Sequence, residues 1–76
     1  MPSIPGVPHQ VAVRAFEKAG FWVVRQGKHI SMTNGDRIIV IPRHDPVNAF
    51  TLAGIVKDAG LTVARFKRLL CLQHGE

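Results

Sequence analysis

Between His9 and Ala19 the apolar residues Val11, Ala12, Ala15, Phe16 and Ala19 recur at helical spacing, while Arg14, Glu17 and Lys18 fall elsewhere on the wheel. That period predicts an amphipathic helix. Pro8 suits its first position, where a missing N–H costs nothing. Gly20 can take the left-handed conformation after the last turn, with Phe21 as the apolar partner of a Schellman-type stop. The period then shortens to two. Phe21 to Gln26 (FWVVRQ) is aromatic and β-branched, Lys28 to Thr33 alternates polar and apolar, Asn34-Gly35 is a strong hairpin signal, and Arg37 to Ile41 (RIIVI) is the return strand, ended by Pro42. Arg43 to Phe50, flanked and interrupted by Pro42 and Pro46, reads as a loop. Thr51 is the expected cap of a second helix whose Leu52, Ile55, Val56 and Ala59 share one face. Its stop repeats the first one: Phe16-Glu17-Lys18-Ala19-Gly20-Phe21 and Val56-Lys57-Asp58-Ala59-Gly60-Leu61 run apolar, charged, charged, Ala, Gly, apolar. Thr62 opens a third helix that turns Phe66, Leu69 and Leu70 inward and Arg65, Lys67 and Arg68 outward.

The order α-β-β-β-α-α predicts an α+β two-layer sandwich, a three-stranded antiparallel sheet with helices on one face and the other face open. A two-residue turn at Asn34-Gly35 would pair Thr33 with Asp36, Ile30 with Ile39 and His29 with Val40. Lys28, Ile30, Met32, Arg37, Ile39 and Ile41 then share the core face, and His29, Ser31, Thr33, Asp36, Ile38 and Val40 the open one. A three-residue turn would exchange the faces of the return strand. His29 points away from Ile30 and Met32 in either case. The parity of Trp22 stays open.

Composition sets bounds on what such a domain does. With 76 residues, 46% hydrophobic and 20% charged, the chain is an ordinary globular one that buries roughly 60% of its unfolded surface in a single domain. The expected limits are an extended arm at 1–8, where three prolines and a glycine forbid regular structure, a domain at 9–72 and a tail at 73–76. One cysteine, Cys71, with no zinc-like spacing and no charged-then-apolar leader, predicts a cytoplasmic protein without disulfide or metal. No apolar run approaches the roughly 18 residues of a membrane span. Ten Lys and Arg against five Asp and Glu, a net charge of +5, predict an anionic partner, with nucleic acid the commonest for a compact basic domain and an acidic protein the other choice.

An isolated strand histidine is more often merely solvated than chemically employed. At His29 three features change the balance: Gly27 permits close approach by another backbone, Arg25 and Lys28 bring positive charge, and Ile38 or Ile39 offers an apolar floor. Neighbouring cations favour the neutral imidazole, the form that accepts a proton.

Three stretches, "FEKAGFWVVRQGKHISM", "NGDRIIVIPRH" and "TLAGIVKDAGLTVARFKRLL", in this order and spacing, resemble the HicA family of toxin-antitoxin mRNA interferases over nearly everything after Pro8. The resemblance implies a fold like that of a double-stranded-RNA-binding domain. It also implies an active-site signature of Gly, a small hydroxyl residue and His on the second strand, here Gly27-Lys28-His29, with His29 in the catalytic role. Lys28 replaces the hydroxyl residue; Phe50 stands before Thr51 where many members have Gly, and Ala53-Gly54 where polar or basic residues are frequent. The implied activity is metal-independent cleavage of mRNA, with a cognate HicB-like antitoxin covering the His29 face and no cofactor or membrane involved.

Around His29, the candidates for site support are Gly27, Lys28, Arg25 and His44, the last equally readable as a loop histidine bonding its own turn. Arg43, Arg65, Lys67 and Arg68 are candidate RNA contacts, the three on the third helix being as readily a solvated stripe. His9 and His74, near the chain ends, are expected to be solvated. Cys71 reads as a packed or free thiol. A non-catalytic RNA-binding module of the same fold is the alternative function, since such modules read A-form shape without a strand histidine. A folded antitoxin-binding protein without activity is a third.

Overall fold

The computed structural model describes residues 4–74, with side chains described through Cys71. Six elements follow in the order α1 (His9–Lys18), β1 (Trp22–Gln26), β2 (His29–Thr33), β3 (Ile38–Pro42), α2 (Ala49–Asp58) and α3 (Val63–His74). The strands form one antiparallel sheet in the order β1-β2-β3. This is the α+β sandwich that the alternating periods predict. Helices α1 and α2 pack on the sheet through β3, and α3 packs on α1 and α2.

Apolar side chains facing inward from β2, β3 and the three helices make a single core, with Val23 of β1 partly buried against it. Ile30, Met32, Ile39 and Ile41 from the sheet meet Phe16, Leu52, Val56 and Phe66 from the helices. Phe16 is fully buried and touches Phe21 edge-on at 5.9 Å between centroids and Phe66 at 4.8 Å. Aromatic pairs in that range add about 0.5–1.5 kcal/mol beyond their burial.

Both helix stops work as the repeated pattern predicts. Gly20 (φ +98°) follows α1 and the Phe21 N–H reaches the Phe16 carbonyl at 3.0 Å; Gly60 (φ +78°) follows α2 and the Leu61 N–H reaches the Val56 carbonyl at 3.1 Å. Gly60 has a second reason to lack a side chain, since a Cβ there would stand 2.8 Å from Arg37 Nε. Arg37 crosses to this point to donate to the Asp58 carbonyl at 3.1 Å, placing a cation at the C-terminus of α2.

Several local expectations are corrected. Pro8 is the cap of α1, with extended φ/ψ, and His9 is its first residue. Asn48, not Thr51, caps α2: its Oδ1 accepts from the N–H groups of Phe50 and Thr51 at 2.8 and 3.4 Å. Val47 before the cap and Leu52 on the next turn are both fully buried, the pattern of a hydrophobic staple that fixes this start. Ala49 and Phe50 therefore belong to the helix. Within the expected arm, 1–3 lie outside the described residues, Ile4 is part of the core, and the Val47 N–H donates to the Val7 carbonyl at 2.7 Å. Of the expected tail, residues 73 and 74 continue α3 and 75–76 lie outside the described residues.

The β2–β3 register also differs. Thr33 pairs with Ile38, Met32 with Ile39, Ile30 with Ile41 and His29 with Pro42, two residues beyond the pairing a two-residue turn would give. Side chains at the turn cause the shift. Asn34 Oδ1 accepts from the N–H groups of Asp36 and Arg37 at 3.0 and 2.8 Å, and Thr33 Oγ1 accepts from Gly35 N–H and donates to the Arg37 carbonyl. A type I′ turn needs positive φ at Asn34, and among the described residues positive φ occurs at glycine alone. A slip of two leaves every face unchanged, so Ile30, Met32, Ile39 and Ile41 are buried as the alternation requires.

Candidate functional site

At one end of the helix-free sheet face a hollow of about 250 Å³ is lined by Arg25, Gly27, Lys28, His29, Ser31 and Val40. His29 is exposed, and the turn Gly27-Lys28-His29 links Gln26 of β1 to Ile30 of β2, which pair with each other. The Gly27 N–H closes the turn on the His29 carbonyl at 3.1 Å. Lys28 lies in the turn rather than in the ladder, so it joins His29 instead of the core face that strand alternation assigns to it. The apolar floor is Val40, brought opposite Ser31 by the shifted register; Ile38 lies toward the far end and Ile39 is in the core.

Arg25 reaches the hollow because β1 contains a bulge. Val23 pairs with Met32 and Arg25 with Ser31, so Val24 is an additional residue in the ladder. With regular pairing Arg25 would oppose Ile30 and face the core. The bulge turns it to the side of Ser31 and His29. Trp22, opposite Thr33, lies on the same open face. Trp22, Val24, Ile38 and Val40 are 51%, 54%, 71% and 48% exposed, and they make an apolar surface running from the hollow toward the hairpin.

A second hollow, about 400 Å³, lies on the helical side of the same sheet end and includes His9, Arg14, Glu17, Gln26 and Arg43. His9 is 8% exposed, contrary to the solvated role expected of it. Its ring Nδ1 lies 2.7 Å from Asp45 Oδ1, and its backbone N–H is 3.1 Å from both that oxygen and the His44 carbonyl. The hydrogen bond with the His9 ring, followed by that from its N–H, lowers the Asp45 carboxyl below its ordinary range. A partner 36 residues away is what buries this histidine, and position near a chain end carries no sign of it.

The remaining candidates are dispersed. Arg43 donates from Nε to the Gly27 carbonyl at 2.9 Å, beneath the turn that carries His29. The side chain of His44 does not line the His29 hollow. Arg65, Lys67 and Arg68 are exposed on α3, in the helical layer and thus across the sheet from His29. His74 lies where no side chain is described. Ser31 joins the hollow by strand alternation, two residues from His29 in β2, and Val40 through its pairing opposite Ser31. Among the described residues no group of three or more His, Cys, Asp or Glu is arranged to hold a metal ion, and no helix is long and apolar enough to cross a membrane.

Exposed imidazole, two cations, a hydroxyl and an uncrowded glycine backbone in one concavity can bind an anionic group and move one proton. The family model described as the HicA toxin of bacterial toxin-antitoxin matches residues 11–61, which run from within α1 through the stop of α2 and include this hollow. No curated protein and no solved structure matches the chain.

Proposed function

The chain belongs to the HicA toxin family of toxin-antitoxin systems, and from that premise we propose that it is a metal-independent endoribonuclease, an mRNA interferase acting in the cytoplasm, with His29 as its catalytic base. The observation that carries this reading is the exposed His29 ring in a hollow it shares with Arg25 and Lys28.

Without a metal, RNA is cut by its own 2′-OH. The imidazole takes the 2′-OH proton as the 2′-oxygen bonds to phosphorus, the P–O5′ bond breaks, and the departing O5′ takes up a proton. The products are a 2′,3′-cyclic phosphate and a 5′-OH. Arg25 and Lys28 oppose the negative charge gathering on the phosphorus oxygens. Gly27 leaves space for the phosphate, since nothing lies within 4 Å of where its Cβ would be. The groups within the hollow that can give O5′ a proton are Lys28 and the imidazolium formed in the first step, whereas Arg25 keeps its proton and supplies charge alone.

A toxin of this kind is held in check by a partner, and the apolar surface of Trp22, Val24, Ile38 and Val40 beside the hollow suits coverage by a HicB-like antitoxin. Growth inhibition and cleavage of synthetic RNA by His29→Ala test the assignment. Loss of a general base lowers the rate by about 10² to 10⁴, with RNA binding retained. Unchanged cleavage removes His29 from the chemistry. RNA binding without cleavage by the unmodified chain supports the non-catalytic module, for which the exposed Arg65, Lys67 and Arg68 stripe on α3 is the favourable observation.

A further inference from the structure

Gly27, Lys28 and His29 are all exposed, and no side chain packs where a Cβ on Gly27 would lie. Burial therefore does little to hold the turn that presents the imidazole. A hydrogen bond from outside the turn does more: Arg43, the first residue after β3, donates from Nε to the Gly27 carbonyl at 2.9 Å. The Gly27 N–H in turn meets the His29 carbonyl at 3.1 Å, so both polar groups of the Gly27 backbone are committed. On its other side Arg43 is anchored. The next two residues, His44 and Asp45, both accept from the N–H that begins α1, and Asp45 also holds the buried His9 ring. A continuous run of bonds thus leads from the start of α1, through the segment after β3, to the turn that carries His29.

We propose that Arg43 is a positioning residue for RNA cleavage, acting through its Nε–H bond to the Gly27 carbonyl rather than through its charge. The proposal rests on His29 being the base, and it predicts a dependence on which atom of the side chain is replaced. A displacement of about 1 Å between reacting groups costs about 10²-fold in rate. Losing the bond, which leaves the rest of the hollow in place, lowers kcat by about 10- to 100-fold with KM little changed.

Substitution chemistry separates this role from a phosphate contact. The amide nitrogen of glutamine is as many bonds from Cα as Nε of arginine, so Arg43→Gln keeps a donor in place and discards the charge. Arg43→Lys keeps the charge and puts a methylene where the donor was. With the purified full chain and a synthetic single-stranded RNA, Arg43→Ala and Arg43→Lys lose kcat together, and Arg43→Gln recovers most of it. The reverse order, an active Lys and an inactive Gln variant with raised KM and a salt slope smaller by about 1, assigns Arg43 to the RNA backbone and overturns the proposal. Equal kcat in all three also overturns it.

His29→Ala measured alongside distinguishes the failure of the base from the failure of the clamp: full cleavage by that variant refutes the base. Amide hydrogen exchange at Gly27 reads the clamp without catalysis. Exchange accelerates in the Ala and Lys variants and not in Gln; unchanged exchange in all three refutes the clamp whatever the kinetics show.

Discussion

Replacing Gly27 by alanine separates what the fold needs from what the site needs. Gly27 lies outside the left-handed φ range that Gly20, Gly35 and Gly60 occupy, and a Cβ added to it meets nothing within 4 Å. Alanine is therefore admissible in the native backbone, and it keeps both the N–H bond to His29 and the carbonyl that Arg43 uses. Where the native conformation accepts it, Gly→Ala stabilises by about 0.4–1 kcal/mol, because the unfolded chain has fewer states to lose. For a domain of this size each kcal/mol moves Tm by about 4–8 °C, so the variant melts about 2–8 °C higher. Cleavage goes the other way. The methyl group stands at the rim of the His29 hollow and displaces by about 1 Å or more any phosphate that approaches the Gly27 backbone, which for reacting groups costs about 10²-fold. Thermal unfolding by circular dichroism and cleavage of a synthetic RNA, read on the same preparation, check both halves. A lower Tm refutes the steric reading of the turn. A stable variant that cuts RNA at the parental rate refutes the assignment of that empty space to substrate.

Two further outcomes follow from the structure. The Asp45 carboxyl titrates below the unfolded value of about 3.9, so the unfolded chain binds the proton first as pH falls. The stability this carboxylate supplies is complete above about pH 4 and is lost as pH drops through its lower folded pKa; urea midpoints taken from pH 6 to pH 2 fall less steeply at the acid end in Asp45→Asn, and identical acid limbs refute the linkage. Deleting Val24 removes the additional residue of the bulge and leaves Arg25 opposite Ser31 and Gln26 opposite Ile30, so the shortened chain folds and still cuts RNA; loss of folding would show that the bulge's own bend is required.

What the sequence makes legible here is what neighbours in the chain decide. Helix period, the two glycine stops and the alternation of Ile30, Met32, Ile39 and Ile41 are local, and all survive a register slip because a shift of two residues preserves every face. His29 owes its place on the open side to the same alternation. The register itself was decided by Thr33 and Asn34 side chains, which bonded the turn backbone in place of the type I′ geometry that Asn-Gly suggests. Thr51 is expected as the cap of α2, but Asn48 three residues earlier is the stronger capping residue type, and burial of Val47 and Leu52 fixes the start there.

The hollow is less legible than the sheet because it is assembled by contacts between distant residues and by an irregularity without a local signature. Arg25 would face the core in any regular ladder, and a bulge at Val24 turns it to His29. Arg43 meets Gly27 across 16 residues, and His9 meets Asp45 across 36. The same division has a chemical consequence. His29 sits on a strand end whose direction is fixed by pairing with Pro42, but the turn before it depends on one arginine whose own segment is tied to the start of α1. The side chains of this hollow are therefore held on one side by the sheet and on the other by a polar chain that runs through the second hollow. Under the role proposed for Arg43, substitutions at His9 or Asp45, remote from the imidazole in sequence, lower cleavage as well as stability.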